Sequence, residues 1–363
     1  MRVLIAPQEF KRVLQAREVA EALALGFARA QPAWELEVVP IADGGPGTLD
    51  AVLCARRGDL RVARVEDPLG RPVEARWALL DDGTAVVEMA EASGAWRLRP
   101  EERDPLRAST FGTGQLIRAA LDAGVQRIFV GAGGSATNDG GAGALEALGA
   151  RLFDERDQPL PRSGGALQKL ARIDLERLPR AAVQVLTDVR NPLLGPQGAT
   201  RIFGPQKGAT TAEVQEQLEA GLARFADVLQ AATGRDLRAN EGAGAAGGLA
   251  FGLAAGLGAQ LCSGFEVLAE LLGLQERVAT AALIVTGEGR LDAQTGFGKG
   301  PARLAAMARA RRRRVVCFCG VAVGDARAIY DDVIEVAPTA PPPTRAAAAE
   351  RLTSAAERWA RAQ

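Results

Sequence analysis

The chain has 363 residues, 47% of them hydrophobic, and balances 44 basic against 44 acidic side chains. Its length exceeds one typical core, so it predicts two domains or one α/β unit carrying an insertion, while zero net charge gives no footprint for nucleic acid or an anionic membrane. Histidine is absent, which excludes Ser-His-Asp and Cys-His catalysis and His-ligated zinc, and leaves proton transfer to carboxylates, lysine, cysteine, Tyr330 or water.

Residues 2–6 (RVLIA) predict a buried strand, and residues 16–30 an amphipathic helix with Val19, Ala20, Leu23 and Phe27 on one face. Residues 35–39 predict a second strand. It runs into ADGGPGT and a helix over about 47–57, a βαβ pattern with a Gly-rich loop at a strand's carboxyl end, where open α/β sheets bind ligands. Residues 60–65, 72–80 and 84–89 predict an antiparallel meander separated by DPLGRP and DDG turns. Helices over 114–123 and 139–148 alternate with strands over 127–130 and 182–186. Helices are expected over 211–233, 244–257 and 266–272. The chain then predicts a strand (283–286), a helix (299–311), two strands (315–319 and 333–336) and a final helix (344–362). Together these patterns predict a flavodoxin- or Rossmann-like doubly wound parallel sheet, residues 1–58 with 265–363, interrupted by a second α/β domain with a mixed sheet, residues 59–264.

No segment has the length and apolar purity of a membrane span, and Met1 is followed by arginine rather than by a long apolar run. The expected location is the cytoplasm. Arg311, Arg312, Arg313 and Arg314 read as a solvated helix end. Cys54, Cys262, Cys317 and Cys319 form no metal pattern, and the last two alternate on a buried strand.

Lysine survives only at Lys11, Lys169, Lys207 and Lys299, three of them in polar segments rich in glycine and proline. Such placement favours a compact ammonium over the planar arginine fork and points to phosphate handling. The strongest segment is GAGGSATNDGGAG, residues 131–143, between a strand and a helix. Its glycines let backbone amides approach an anion, while Ser135, Thr137, Asn138 and Asp139 add polar groups beyond what helix capping needs. In residues 187–210, Asp188 ends a buried strand, Asn191 sits in a turn, and Lys207 follows a second Gly-Pro pair. A carboxylate and an ammonium on one loop suit Mg²⁺ and phosphate; a Pro-braced turn with exposed charges is the plainer alternative. In residues 286–301, Glu288, Arg290, Asp292 and Lys299 bracket glycines. No Walker A sequence occurs, and the first strand lacks a dinucleotide fingerprint.

Taken together, IAPQEFK, PIADGGPGT, RDPLRASTFGTGQLI, GGSATNDGGAG, TDVRNPLLGPQGATRIFGPQKGAT, GAGAAGGL and TGEGRLDAQTGFGKGP resemble the class I glycerate kinase family along essentially the whole chain. The resemblance implies phosphorylation of D-glycerate by ATP with Mg²⁺, 2-phosphoglycerate being the favoured product. It implies catalytic roles for Asp188, Lys207, Lys299, Asp43 and Asp292. Lys11, Arg290, Ser135, Asn138 and Asn191 would contact substrate, and Gly133, Gly134, Thr137, Gly140, Gly141 and Glu288 nucleotide. Asp188 and Asp139 would be the metal ligands, and a homodimer is left open. The chain departs from the family at Gln8 (usually Asp), Glu9 and Val13 (usually Ser), Pro46 and Gln115 (usually Glu), and Phe297 (usually His). Those departures keep open a non-catalytic paralogue that binds glycerate or nucleotide, and a kinase of another small hydroxy acid.

Overall fold

The computed structural model describes residues 1–10, 13–291, 300–337 and 344–363. They divide into two compact units: Met1–Asp43, Asp50–Arg56 and Phe265–Gln363 in one, and Gly44–Leu49 with Arg57–Gly264 in the other. The strands in chain order are β1 (Arg2–Ile5), β2 (Glu35–Val38), β3 (Gly58–Glu66), β4 (Pro72–Leu80), β5 (Thr84–Glu88), β6 (Arg127–Gly131), β7 (Arg151–Phe153), β8 (Arg172–Asp174), β9 (Ala182–Leu186), β10 (Gln260–Cys262), β11 (Leu283–Leu291), β12 (Arg314–Ala322) and β13 (Asp332–Glu335).

The first unit is a parallel sheet in the order β13-β12-β11-β1-β2. β1 lies between neighbours on both sides, with Val3 opposite both Leu283 and Leu36. A strand so placed has both faces covered and reads as an unbroken apolar run; Val3, Leu4 and Ile5 are fully buried. One face packs on helices Ala16–Ala30 and Arg345–Arg361, whose Leu23, Phe27, Leu352 and Ala356 join Val3, Ile5, Val316 and Phe318 in one cluster. The other face packs Leu4, Ile284, Val315 and Cys317 against Phe265, Ala269, Leu304 and Ala308. Each such fully buried Leu or Phe contributes about 1.5–3 kcal/mol.

The second unit is a mixed sheet in the order β10-β9-β6-β5-β4-β3. β3 and β4 pair antiparallel, as do β4 and β5, while β5, β6, β9 and β10 are parallel neighbours. The expected doubly wound sheet and the expected mixed sheet are therefore both present. Apolar periodicity did not reveal the two-stranded pair β7-β8, strand β10 or helix Leu274–Thr280; the three strands have only three residues each.

The helix expected over 244–257 is broken. Ala246, Gly247 and Gly248 take left-handed φ values of 54°, 69° and 87°, so only short helical pieces follow at Leu249–Gly252 and Leu253–Leu257. The helix expected from residue 139 starts only at Ala142, because Gly140 and Gly141 have φ of 65° and 83°. Among the described residues no helix is long and apolar enough to cross a membrane.

Candidate functional site

In the mixed-sheet unit, four parallel strands end in register: Glu88 opposite Gly131, Gly131 opposite Leu186, and Leu186 opposite Cys262. Their carboxyl ends line one edge and bring Glu88, the 131–143 loop, Asp188 and Ser263 to it. Residues 44–49 lie over the same edge. The Gly133 amide donates to the Gly44 carbonyl at 3.1 Å, and a Cβ on Gly133 would stand 2.4 Å from Gly45 Cα, so only glycine lets the two loops meet.

Three of the Gly-rich segments converge within this unit. The Asn191 carbonyl accepts from the Gly244 amide at 2.9 Å, and the Gly247 carbonyl accepts from the Gly140 amide at 3.0 Å. A Cβ on Gly247 would fall 2.0 Å from the Thr137 carbonyl oxygen. The Lys207 ammonium donates to that same oxygen at 2.7 Å. Thr137 and Asn138 are fully buried, and Lys207 is 2% exposed. Asn138 Nδ2 donates to Thr200 Oγ1 at 3.0 Å, while Thr137 Oγ1 and Asn138 Oδ1 are buried with no hydrogen-bond partner among the described residues. Buried polar atoms of that kind are costly unless water or a ligand completes them.

Asp139 is 1% exposed, and its two oxygens accept from the Thr110 amide (2.7 Å), Thr110 Oγ1 (2.8 Å), Ser109 Oγ (3.4 Å) and the amides of Gly141 (3.1 Å) and Gly143 (3.3 Å). Burial pushes its carboxyl above the usual range, against the pull of these donors. A cation would reach it only by displacing them, so this geometry makes Asp139 a staple between loops. Burial also pushes the Lys207 ammonium down to about 7, and the nearby Asp139 charge opposes that shift.

The other expected residues of this unit are more open. Asp188 is exposed and accepts from Ser263 Oγ at 2.8 Å. Asn191 Nδ2 donates to the Gln197 carbonyl at 2.8 Å. Ser135 is bridged to Gly94, and exposed Gly134 has φ of 75°. The amides of Gly133, Gly140 and Gly141 are already committed inside the unit.

In the parallel-sheet unit, Gln8 Nε2 donates to Asp43 Oδ2 at 2.7 Å. Glu288 on β11 is 5% exposed, and Arg290, two residues on, is exposed. Lys11, Asp292 and Lys299, with Phe297, lie outside the described residues.

Sequence reasoning missed Glu88. It is 3% exposed and accepts from the Leu49 amide at 2.6 Å and the Gly47 amide at 3.3 Å, satisfying donors at the start of helix Thr48–Ala55. Its signal was a carboxylate closing the wholly buried strand TAVVE. Thr110 and Thr200, the partners of Asp139 and Asn138, carried no such signal.

Among the described residues, no cluster of three His, Cys, Asp or Glu side chains could hold a metal ion. Mg²⁺ commonly uses one or two carboxylates, with waters and substrate phosphates completing its shell. An exposed Asp188 at the carboxyl edge of the parallel strands of the mixed sheet fits that requirement.

Known proteins match along nearly the full length. The family model described as the glycerate kinase family matches residues 3–362. A glycerate kinase of Bacillus subtilis (strain 168) is 44% identical over 340 residues, covering 92% of this chain and 89% of that protein. A glycerate 2-kinase of Escherichia coli (strain K12) is 43% identical over the same length and coverage. A crystal structure described as a glycerate kinase 2 from Salmonella typhimurium LT2 superposes with a TM-score of 0.87 at 40% identity, covering 99% of this chain and 97% of that one. A loop edge built from glycine-rich segments, in a chain so matched from end to end, has one reading: this chain belongs to the glycerate kinase family.

Proposed function

We propose that the chain is a kinase that transfers the terminal phosphoryl group of ATP to D-glycerate with Mg²⁺, 2-phosphoglycerate being the favoured product. The observation that carries the reading is the convergence of three Gly-rich segments on Thr137, Asn138 and Lys207, in a chain whose relatives are named glycerate kinases. Phosphoryl transfer asks little covalent chemistry of a protein; it asks for in-line placement and charge neutralisation.

Each residue takes a role its surroundings permit. The orphaned Thr137 Oγ1 and Asn138 Oδ1 are assigned to bound ligand or its water. Because the amides of Gly133, Gly140 and Gly141 are engaged, contact with phosphate oxygens falls to the stretch between Gly134 and Asn138, Ser135 included. Lys207 holds the Thr137 carbonyl and places positive charge just beneath that stretch. Asp188 is assigned to the metal or to the substrate hydroxyl as base, with Asn191 orienting substrate. Bound at Asp188, Mg²⁺ would offset charge on the phosphates. In the parallel-sheet unit, Asp43 is the alternate carboxylate, Glu288 is assigned to nucleotide and Arg290 to the glycerate carboxylate. Lys11, Asp292 and Lys299 keep the roles that the resemblance implies.

Gln8 favours a second reading. It stands where the family usually has Asp and donates to Asp43, so that carboxylate is engaged by a neutral amide. A binding paralogue without turnover would follow. An ADP-release assay over a panel of hydroxy acids, with the product identified by NMR, separates the readings. Glycerate-dependent ADP with 2-phosphoglycerate supports the kinase; glycerate binding by calorimetry without ADP release supports the paralogue, and preference for another acid changes the substrate.

A further inference from the structure

We propose that β3 is the interface of a homodimer, in which a second copy of this chain adds its own β3 antiparallel across the open edge of the mixed sheet. β3 is the terminal strand of that sheet and pairs with β4 without a break over nine residues, Gly58 opposite Leu80 through Glu66 opposite Pro72. Natural edge strands are usually shortened, bulged, interrupted by proline or guarded by charge. β3 is long, unbulged and free of proline, and its exposed charges are of both signs. Leu60 and Val62 are 46% and 57% exposed, and Asp59, Arg61 and Arg64 are exposed beside them.

The direction of its backbone groups follows from the ladder. In an antiparallel pair, residues alternate between exchanging both hydrogen bonds and exchanging none. The Asp81 amide donates to the Arg57 carbonyl, and Pro72, which has no amide hydrogen, faces Glu66. The odd-numbered residues of β3 therefore bond to β4, and the even-numbered ones turn their N–H and C=O outward. At Glu66 that outward amide is taken by Gln115 Oε1 at 2.7 Å. The stretch holding Gly58, Leu60, Val62 and Arg64 presents the remaining outward groups.

A second copy matches this edge for a symmetry reason. A two-fold axis exchanges the partners of every pair, and the alternation of bonded and unbonded pairs survives only if a residue faces itself. With Arg61 on the axis, Leu60 exchanges bonds with the partner's Val62, Val62 with the partner's Leu60, and Gly58 and Arg64 with each other's counterparts. About eight main-chain bonds form, two per bonded pair. The two exposed apolar side chains then lie directly opposite one another. On the other face, the two facing arginines would repel, but Asp59 already pairs with Arg61 at 2.8 Å and sits diagonal to the partner's Arg61, so two acids and two bases alternate there. Pairing consumes the edge, so assembly stops at two copies.

Sedimentation velocity of the full chain at low and high micromolar concentration should give a species of twice the 37.9 kDa chain mass. Val62→Pro removes only an outward amide, so it should weaken the dimer at least tenfold while leaving the circular dichroism and ADP-release activity intact. Val62→Lys is the second variant, decisive if the proline variant does not fold. Arg61→Cys in a Cys54→Ser background should form an intermolecular disulfide on oxidation, because an unbonded antiparallel pair brings Cα atoms to about 4.5 Å; Ala63→Cys should not. A wild-type chain that stays monomeric, a dimer untouched by either Val62 variant, or cross-linking through Ala63 in place of Arg61 would each overturn the proposal.

Discussion

The Lys207 ammonium donates to the Thr137 carbonyl oxygen at 2.7 Å, both residues being withdrawn from solvent. A charge that could have reached into solution instead fastens a glycine-rich loop from beneath. Burial lowers that ammonium to about 7 from 10.5.

Stability should therefore rise with pH across this interval. Between the folded value near 7 and the unfolded value near 10.5, the unfolded chain binds the proton that the folded chain has lost. Below about 7 both states are protonated and the penalty is fully present; above about 10.5 it is gone. Urea unfolding from pH 7 to about pH 10 should show wild-type stability climbing relative to Lys207→Met. Parallel curves for the two proteins would contradict the burial of a titrating amine.

Asp139→Asn keeps the volume of the side chain but turns an amide donor towards groups that are themselves donors. We expect a loss of about 3 kcal/mol, read from the urea midpoint at constant m-value. A cost below about 0.5 kcal/mol would mean that the carboxylate does not staple the loops.

Asp188→Asn should behave oppositely. The side chain is exposed and accepts from Ser263 Oγ at a surface position, so stability should stay within about 0.5 kcal/mol of wild type. If it serves as base or metal ligand, kcat should fall about 10²–10⁴-fold. Retention of turnover to within about tenfold would remove it from both roles.

Gly247→Ala adds a Cβ that meets the Thr137 carbonyl at 2.0 Å, at a φ of 69° that alanine rarely adopts. The backbone alone should cost about 1–3 kcal/mol. Because the clash is with the very oxygen that Lys207 holds, ADP release should drop with it. A variant as stable and active as wild type would show that the loop yields freely.

Gln8→Asp replaces the donor to Asp43 by a second carboxylate. Two facing acids repel unless a cation lies between them. The variant should melt lower than wild type in the absence of divalent ions and recover on adding Mg²⁺, by differential scanning fluorimetry. An Mg²⁺ shift no larger than that of wild type would argue against a cation site at this pair.

The sequence exposed what depends on periodicity and hid what depends on packing. Strands such as β1 and β5 were legible because unbroken apolar runs fit a sheet covered on both faces. The meander of β3, β4 and β5 was legible through its turn residues. The break at Ala246 was not, because a run of Gly and Ala carries the same composition whether it packs as a helix or as consecutive left-handed turns. Within the 131–143 loop, polar side chains among glycines marked the segment. That Asp139 faces Thr110 while Asn138 faces Thr200 depends on contacts 29 and 62 residues away in sequence. Glu88 lay between these cases, with its strand readable and the helix start that it caps supplied by distant residues.

The sheet order of the first unit has a consequence for synthesis. β1 leaves the ribosome well before its neighbour β11, which begins at Leu283, and Val3 waits for that residue before both its edges are paired. The intervening mixed-sheet unit is complete by Gly264 and can collapse earlier as a body of its own. β1 and the helix Ala16–Ala30 thus wait through synthesis of the mixed-sheet unit without their final partners. Their apolar stretches are where a chaperone would be needed, and an early stop codon shortly before residue 283 should leave β1 and that helix open to protease while the mixed-sheet unit resists it.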